Sequence, residues 1–363
     1  MDKEEKKSKK VKISIIASLI LSIAFIIIIL KFTIDPSELE NIFLERIRYE
    51  FIIVAALLNI CTWFLWGARL RILSNAIDKN VKIGWRESTK IVIVNLFLAG
   101  ITPSMAGGEP VRIHLLNKDG MSLGGATASV LGERLIDAVF ILLAVPFAFF
   151  VFKDRIDNEW LNIGLTIGIF VFIFSIILFL WIIKNPGKIK SFLIWLDKKL
   201  SRFYKKRKKD EGTKIVNRIN REVDNFHNSM VFFAKEEKKA FLFGGAITVL
   251  MWSTGFMIPS MILLGLGLPP FFIESYAAQV LLLVIIMMPT TPGSTGVTEL
   301  GAGGLYSVLI DSSFIGVFVL LFRFITYHMN LIAGAIFQYR IFKSVASFSV
   351  DMIKKHEDKR ECK

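Results

Sequence analysis

The sequence predicts an all-α integral membrane protein with six transmembrane helices and two re-entrant helical hairpins in an inverted repeat. Three observations lead there. The 363-residue chain is 53% apolar, with a mean hydropathy of +0.56, and its apolar residues come in the long blocks a multi-span membrane protein requires. Two of the shorter blocks are interrupted by matching polar segments. The charges of the connecting segments alternate in sign along the chain, as they do when they orient membrane helices.

The elements follow in order. The run 13–31 has no small-residue cleavage site and reads as a retained anchor. Its basic leader, with Lys3, Lys6, Lys7, Lys9, Lys10 and Lys12, belongs in the cytoplasm. The loop 32–50 carries Asp35, Glu38, Glu40, Glu45 and Glu50 and suits the outside. A span over 51–73 returns to a cytoplasmic loop counted here with Arg69, Arg71, Lys79, Lys82 and Arg86. Residues 91–101 then hold eleven mostly apolar positions. At 1.5 Å per residue they reach roughly 17 Å, against a hydrocarbon core of about 30 Å. After a polar break comes a second short run, 111–116, so the pair reads as a hairpin that enters and leaves on one side. Irregular backbone at that depth is tolerated only where protein or a water-filled cavity surrounds it.

The second half repeats the pattern. Spans over 121–152 and 160–183 lead into segment 184–239, which has 17 Lys and Arg against 7 Asp and Glu. Its apolar residues (Phe192, Trp195, Leu196, Leu200 and Phe203, then Ile215, Ile219, Val223, Phe226, Met230 and Phe233) have helical spacing, as expected of amphipathic helices on the inner membrane surface. A span over 240–266 follows, then a hairpin from runs 275–289 and 300–310, and a last span over 314–339. Both termini are expected in the cytoplasm of a multi-pass cell-membrane protein. Residues 1–345 form one polytopic domain, with a first repeat over 51–152 and a second over 240–339, and 346–363 form a basic tail. The two hairpins then enter from opposite faces, the arrangement from which many secondary transporters build a midplane site.

The two breaks carry the chemistry. One reads Thr102-Pro103-Ser104-Met105-Ala106-Gly107-Gly108-Glu109-Pro110, and the other Thr291-Pro292-Gly293-Ser294-Thr295-Gly296-Val297-Thr298-Glu299. Each has Thr-Pro, a glycine four residues after the proline, and a glutamate at six or seven. Pro103 and Pro292 lack an N–H and end the preceding helix. Gly107, Gly108, Gly293 and Gly296 permit tight turns and close approach of a ligand. Resumption of a helix after each break aims free N–H groups and a positive dipole end at the site, which suits a phosphate. Arg112 shares a face with Glu109 at i, i+3. Glu133, Arg134 and Asp137 lie early in one apolar helix, where Arg134 and Asp137 are spaced to pair. Arg323, with Tyr327 at i+4 and His328 at i+5, lies within the last span. Ionisable groups in such helices mark substrate or ion pathways, or lock helices together in ion pairs. Both roles are open for Glu109 and Glu299.

Other classes find no support. His114, His227, His328 and His356 show no metal-ligand spacing. The sequence contains no phosphate-binding loop, dinucleotide fingerprint, nucleophile elbow or zinc-protease helix, so no cofactor and no catalytic residue is assigned. The net charge of +14 is concentrated in loops, where it orients the chain and meets anionic headgroups; nucleic acid is not expected as a partner. Cys61 and Cys362 are not expected to pair.

The block Ile101-Thr102-Pro103 through Glu109-Pro110-Val111-Arg112, the run Ala128-Ser129-Val130-Leu131-Gly132-Glu133-Arg134-Leu135-Ile136-Asp137, and the block from Met288 to Glu299 with Arg323 resemble the lysylphosphatidylglycerol synthase transmembrane-domain family. The resemblance covers about 10–345. In the best-known members this domain precedes an aminoacyl-transferase and flips the lysylated lipid, and other members are fused to glycosyltransferases that use polyprenyl-phosphate lipids. With the sequence ending soon after the last span, the transferase domain is not expected here. The resemblance therefore implies a flippase or transporter for an anionic phospholipid, aminoacyl-lipid or polyprenyl-phosphate lipid, and not lysyl transfer. The alternatives are a non-transporting partner of a separate lipid-modifying enzyme and, third, an integral-membrane transferase.

Overall fold

The computed structural model describes residues 47–102, 107–153, 236–286, 291 and 293–337, with isolated positions between 177 and 224. All regular structure among these residues is helical. Nine α-helices are used below: α1 (Tyr49–Ile77), α2 (Trp85–Ile101), α3 (Gly108–Lys118), α4 (Leu123–Lys153), α5 (Lys238–Phe256), α6 (Ile258–Gly265), α7 (Phe272–Ile286), α8 (Val297–Tyr306) and α9 (Ser312–Arg323). The expected span 13–31, most of the span 160–183 and of segment 184–239, both termini, and Pro103 and Pro292 lie outside the described residues.

Among the described residues, four helical stretches are long and apolar enough to cross a membrane: Tyr49–Ile77, Leu123–Phe152, Lys238–Gly265 and Ser312–Phe337. They coincide with the expected spans 51–73, 121–152, 240–266 and 314–339. Their outer faces carry Leu57, Phe64, Leu143, Phe150, Leu242 and Ile336 in the open. A belt of bare apolar side chains of this kind is costly in water and at home against lipid chains.

Local sequence explains the interruptions. Pro259 stands in the first turn of α6, where a missing N–H breaks no bond, so Lys238–Gly265 is two helices joined at Met257. Gly267 ends α6 with φ +73°. Its N–H reaches Leu264 O at 3.1 Å and the Leu268 N–H reaches Leu263 O at 2.9 Å, the paired bonds of a left-handed helix stop. Outside the spans, Lys79 lies 2.8 Å from Glu237; this hydrogen-bonded carboxylate holds the ammonium above its ordinary range.

α2 and α3 pack against each other, as do α7 and α8. These are the two expected broken segments. The helical limb before the first break is longer than the apolar run predicts: it starts at Trp85, because Trp85, Arg86 and Glu87 extend the helix with residues that apolarity alone does not count. Its 17 residues rise about 26 Å, still short of a roughly 30 Å core. α7, with 15 residues, rises about 22 Å.

α1 is the hub, with α2, α4, α5 and α6 all against it. One apolar core joins residues of α4, α6, α7, α8 and α9 around Phe152, Ile262, Tyr306 and Phe318. A second joins α1, α2, α3 and α4 around Leu70, Val92, Leu116 and Val130. After Arg323 the last span passes through a π-helical turn, Phe324–His328, and continues to Phe337. The wider turn frees backbone groups. The Asn59 side-chain amide of α1 donates to Ile325 O at 2.8 Å and so satisfies one of them.

Candidate functional site

At the first break, the Thr102 hydroxyl donates to Leu98 O at 2.7 Å and accepts the Gly107 N–H at 2.9 Å, tying the end of α2 to the start of α3. Gly108 lies so close to the Asn95 side chain that a Cβ there would collide with its oxygen. Glu109, in the first turn of α3, receives Arg134 Nε of α4 at 2.6 Å, and both side chains are about 40% exposed, at 43% and 40%.

Arg112 does not turn to Glu109. It is buried, and its Nη1 bonds Glu133 of α4. Glu133 also accepts Arg69 Nε at 3.1 Å and the Trp66 indole at 3.1 Å. Arg69 continues to Asp137, with Nη1 at 2.5 Å, and Asp137 takes the Trp252 indole of α5 at 3.0 Å. The line Arg112–Glu133–Arg69–Asp137 thus runs through α3, α4 and α1. It balances two positive and two negative groups in a buried place, where each would be very costly alone. The Arg112 guanidinium also lies 5.4 Å from the Trp66 ring centroid, a favourable cation–π position. Arg134 and Asp137, expected to pair, are 3.9 Å apart. They form a long ion pair at that distance, while the hydrogen bonds of Asp137 come from Arg69, inside the bundle, and Trp252.

At the second break the backbone turns left-handed, with φ +62° at Gly293, +50° at Ser294 and +88° at Gly296. Glu299 of α8 folds back to accept the Gly296 N–H at 2.7 Å, capping its own helix. Its other oxygen lies 2.9 Å from Arg323 Nε, with both side chains almost fully buried. Arg323 Nη2 reaches Thr295 Oγ1 at 3.3 Å, and the guanidinium sits 4.1 Å from the Tyr327 ring centroid.

The two breaks touch. The Tyr327 hydroxyl donates to Gly100 O, in the last turn of α2, at 3.2 Å. A Cβ on Gly293 would stand 2.6 Å from that same carbonyl. Beside this contact is a cavity of about 250 Å³ between α1, α2, α5, α6, α7, α8 and the last span, walled by Trp66 and Trp252 towards the first network and by Arg323 and Tyr327 towards the second pair. Of the residues singled out by sequence, Arg323 and Tyr327 line it. Glu299 stands behind Arg323. Glu133 and Asp137 stand behind the two tryptophans. Gly107, Gly108, Glu109, Arg112 and Arg134 gather at the other side of the first network, and Gly293 and Gly296 form the second break itself.

Sequence reading missed Arg69, counted there with the cytoplasmic loop but fully buried on α1. It also missed Asn59, Trp66, Trp252 and Asn330. One signal was present: Asn59, Thr62, Trp66 and Arg69 recur every three or four residues, which places them on one face of α1.

The family described as Lysylphosphatidylglycerol synthase TM region matches residues 15–334. Among curated proteins, a UPF0104 membrane protein of Archaeoglobus fulgidus is 34% identical over 331 residues, covering 90% of this chain and 97% of its own. A UPF0104 membrane protein of Methanothermobacter thermautotrophicus is 24% identical over 73% of this chain and 77% of its own. Another, of Methanocaldococcus jannaschii, is 27% identical over 88% and 92%.

Proposed function

The chain belongs to the lysylphosphatidylglycerol synthase TM-region family, and from that premise we propose that it is a lipid flippase, moving a lipid with a phosphate-bearing headgroup between leaflets. The observation that carries the reading is the cavity beside the contact between the two helix breaks, with the guanidinium of Arg323 in its wall. A phosphate entering there meets a positive group already oriented by Glu299 and Thr295, while acyl or isoprenoid chains remain against the apolar outer faces. The two hairpins are the halves of an inverted repeat in this reading, and rocking of one half against the other exposes the cavity first to one leaflet and then to the other. The six-span topology with both termini cytoplasmic belongs to the same proposal.

Movement is facilitated or ion-coupled, with no bond made or broken. Glu109–Arg134 and Glu299–Arg323 fasten each hairpin to the helix that follows it, and opening requires at least one pair to separate. Reconstitution into liposomes tests this. Fluorescent phosphatidylglycerol, lysyl-phosphatidylglycerol and a polyprenyl phosphate are placed in the inner leaflet, and their arrival outside is followed by quenching. Acceleration of at least one over protein-free vesicles is expected. Failure with all three defeats the proposal and favours a non-transporting partner of a lipid-modifying enzyme.

A further inference from the structure

The lining of the cavity narrows the cargo. Its hydroxyl and indole protons are already used within the protein. Thr62 donates to Asn59 O at 2.6 Å, Thr298 to Ser294 O at 2.9 Å and Thr326 to Phe322 O at 2.6 Å. Trp66 and Trp252 donate to Glu133 and Asp137, and Tyr327 donates to Gly100 O. A hydroxyl that has given away its one proton still has lone pairs to offer. The Asn59 amide nitrogen likewise donates at 2.8 Å to Ile325 O and at 3.2 Å to Asn330 Oδ1. These groups therefore meet a ligand chiefly as uncharged acceptors, set among aromatic walls.

Acceptors call for a donor ligand, either hydroxyls or an ammonium. Charge decides between them. Among the described residues that line the cavity, Arg323 is the only charged one. The nearest carboxylates are engaged: Glu299 by Arg323 and the Gly296 N–H, Glu133 by Arg112, Arg69 and Trp66, and Asp137 by Arg69 and Trp252. Of the two tryptophans in the wall, Trp66 already has two guanidiniums beside its ring, Arg69 at 5.6 Å and Arg112 at 5.4 Å. An ammonium would find acceptors there, but in a cavity with three arginines around it and no open carboxylate to offset its charge.

We infer that the cavity recognises a phosphate-linked headgroup rich in hydroxyls and without an amine, a polyol or sugar, in place of the aminoacyl headgroup. This rests on the flippase reading. At roughly 30 Å³ per water molecule, the 250 Å³ cavity holds about eight waters, room for a group of that size.

The full chain in liposomes, with phosphatidylinositol and phosphatidylglycerol set against lysyl-phosphatidylglycerol and phosphatidylethanolamine on matched labelled chains, tests it. With hydrogen bonds that the amine lipids do not make, the hydroxylated lipids are expected to move ~10-fold faster or more. Equal or faster movement of the amine lipids overturns the inference and leaves the flippase reading standing. Failure of all four, with the polyprenyl phosphate also unmoved, defeats the flippase reading. The thermal unfolding of the full chain in detergent then decides the inference: stronger stabilisation by phosphatidylinositol than by phosphatidylethanolamine supports it, and equal or reversed stabilisation overturns it. In whichever assay shows the preference, the Thr62→Val, Thr326→Val double variant is expected to shrink it several-fold. An undiminished preference in that variant counts against the inference.

Discussion

The two helix breaks look alike in sequence and are built differently. Around the first, four buried charged groups from three helices form one line, Arg112–Glu133–Arg69–Asp137, while the hairpin's own glutamate, Glu109, stays half in the open with Arg134. Around the second, the corresponding glutamate is itself buried and does everything alone: it caps α8 and holds Arg323. The backbone differs as well. Gly107 has an ordinary helical φ of −75°, whereas three residues of the second break are left-handed. One hairpin is thus fixed by a shared network at its side, the other by a single pair and a strained turn at its tip. A repeat in sequence fixes where the chain breaks; the neighbours that surround each break decide how its charges are satisfied.

The largest effect is expected where the charges are shared. Glu133→Gln removes the anion between Arg112 and Arg69 and leaves two buried guanidiniums short of a partner, a cost of about 3–5 kcal/mol. Unfolding of the purified protein in detergent measures it, and a loss below ~1 kcal/mol would mean that water or lipid headgroups reach the network. Arg323→Met alone leaves Glu299 buried without its cation and falls in the same range. The contrast lies in rescue. Arg323→Met combined with Glu299→Gln removes the second pair as a unit, keeps an acceptor for the Gly296 N–H, and is expected to regain most of the lost stability. Arg112→Met combined with Glu133→Gln regains less, because Arg69 and Trp66 still point at position 133.

The glycines sharpen the comparison at a smaller scale. Gly293→Ala forces a Cβ into a left-handed turn and to within 2.6 Å of Gly100 O, with an expected cost of about 1–3 kcal/mol. Gly107→Ala brings a Cβ equally close, 2.6 Å, but to the Thr102 side chain and at an ordinary φ, and is expected to cost about 1 kcal/mol as that side chain shifts. Equal losses in the two variants would show that the turn at 293–296 relaxes. They would also show that the contact between the breaks is loose.

Much of this was legible beforehand, for identifiable reasons. The spans are visible because some twenty apolar residues in a row have few other uses. The breaks are visible because Pro and Gly interrupt helices wherever they occur. The pairs Glu109–Arg134 and Glu299–Arg323 join motifs the sequence had already marked. Arg69 was misassigned because a charge near a helix end reads like a loop charge. Its burial depends on Glu133 and Asp137, 64 and 68 residues away. The π turn after Arg323 left no composition signal, and the Asn59 amide that satisfies it comes from 266 residues upstream. The cavity was hidden for the same reason, since its walls come from seven separate helices and no single stretch carries it.

The smallest stability effect is expected at Glu109, and there the comparison bears directly on mechanism. Its pair with Arg134 is short, at 2.6 Å, but both groups are substantially exposed, so screening limits its worth to ~1 kcal/mol or less. Glu109→Gln should therefore fold normally, with a change in unfolding free energy within about 0.5 kcal/mol at high salt. If the pair is only a fastener, lipid movement in liposomes changes as little as stability does. If the pair must break and re-form as the first hairpin moves, transport changes by far more than the stability loss accounts for, and the change depends on ionic strength. The same substitution at Glu299 cannot separate these roles, because it disturbs a buried charge and a helix cap together. The exposed partner of the two is the one that distinguishes a lock from a working part.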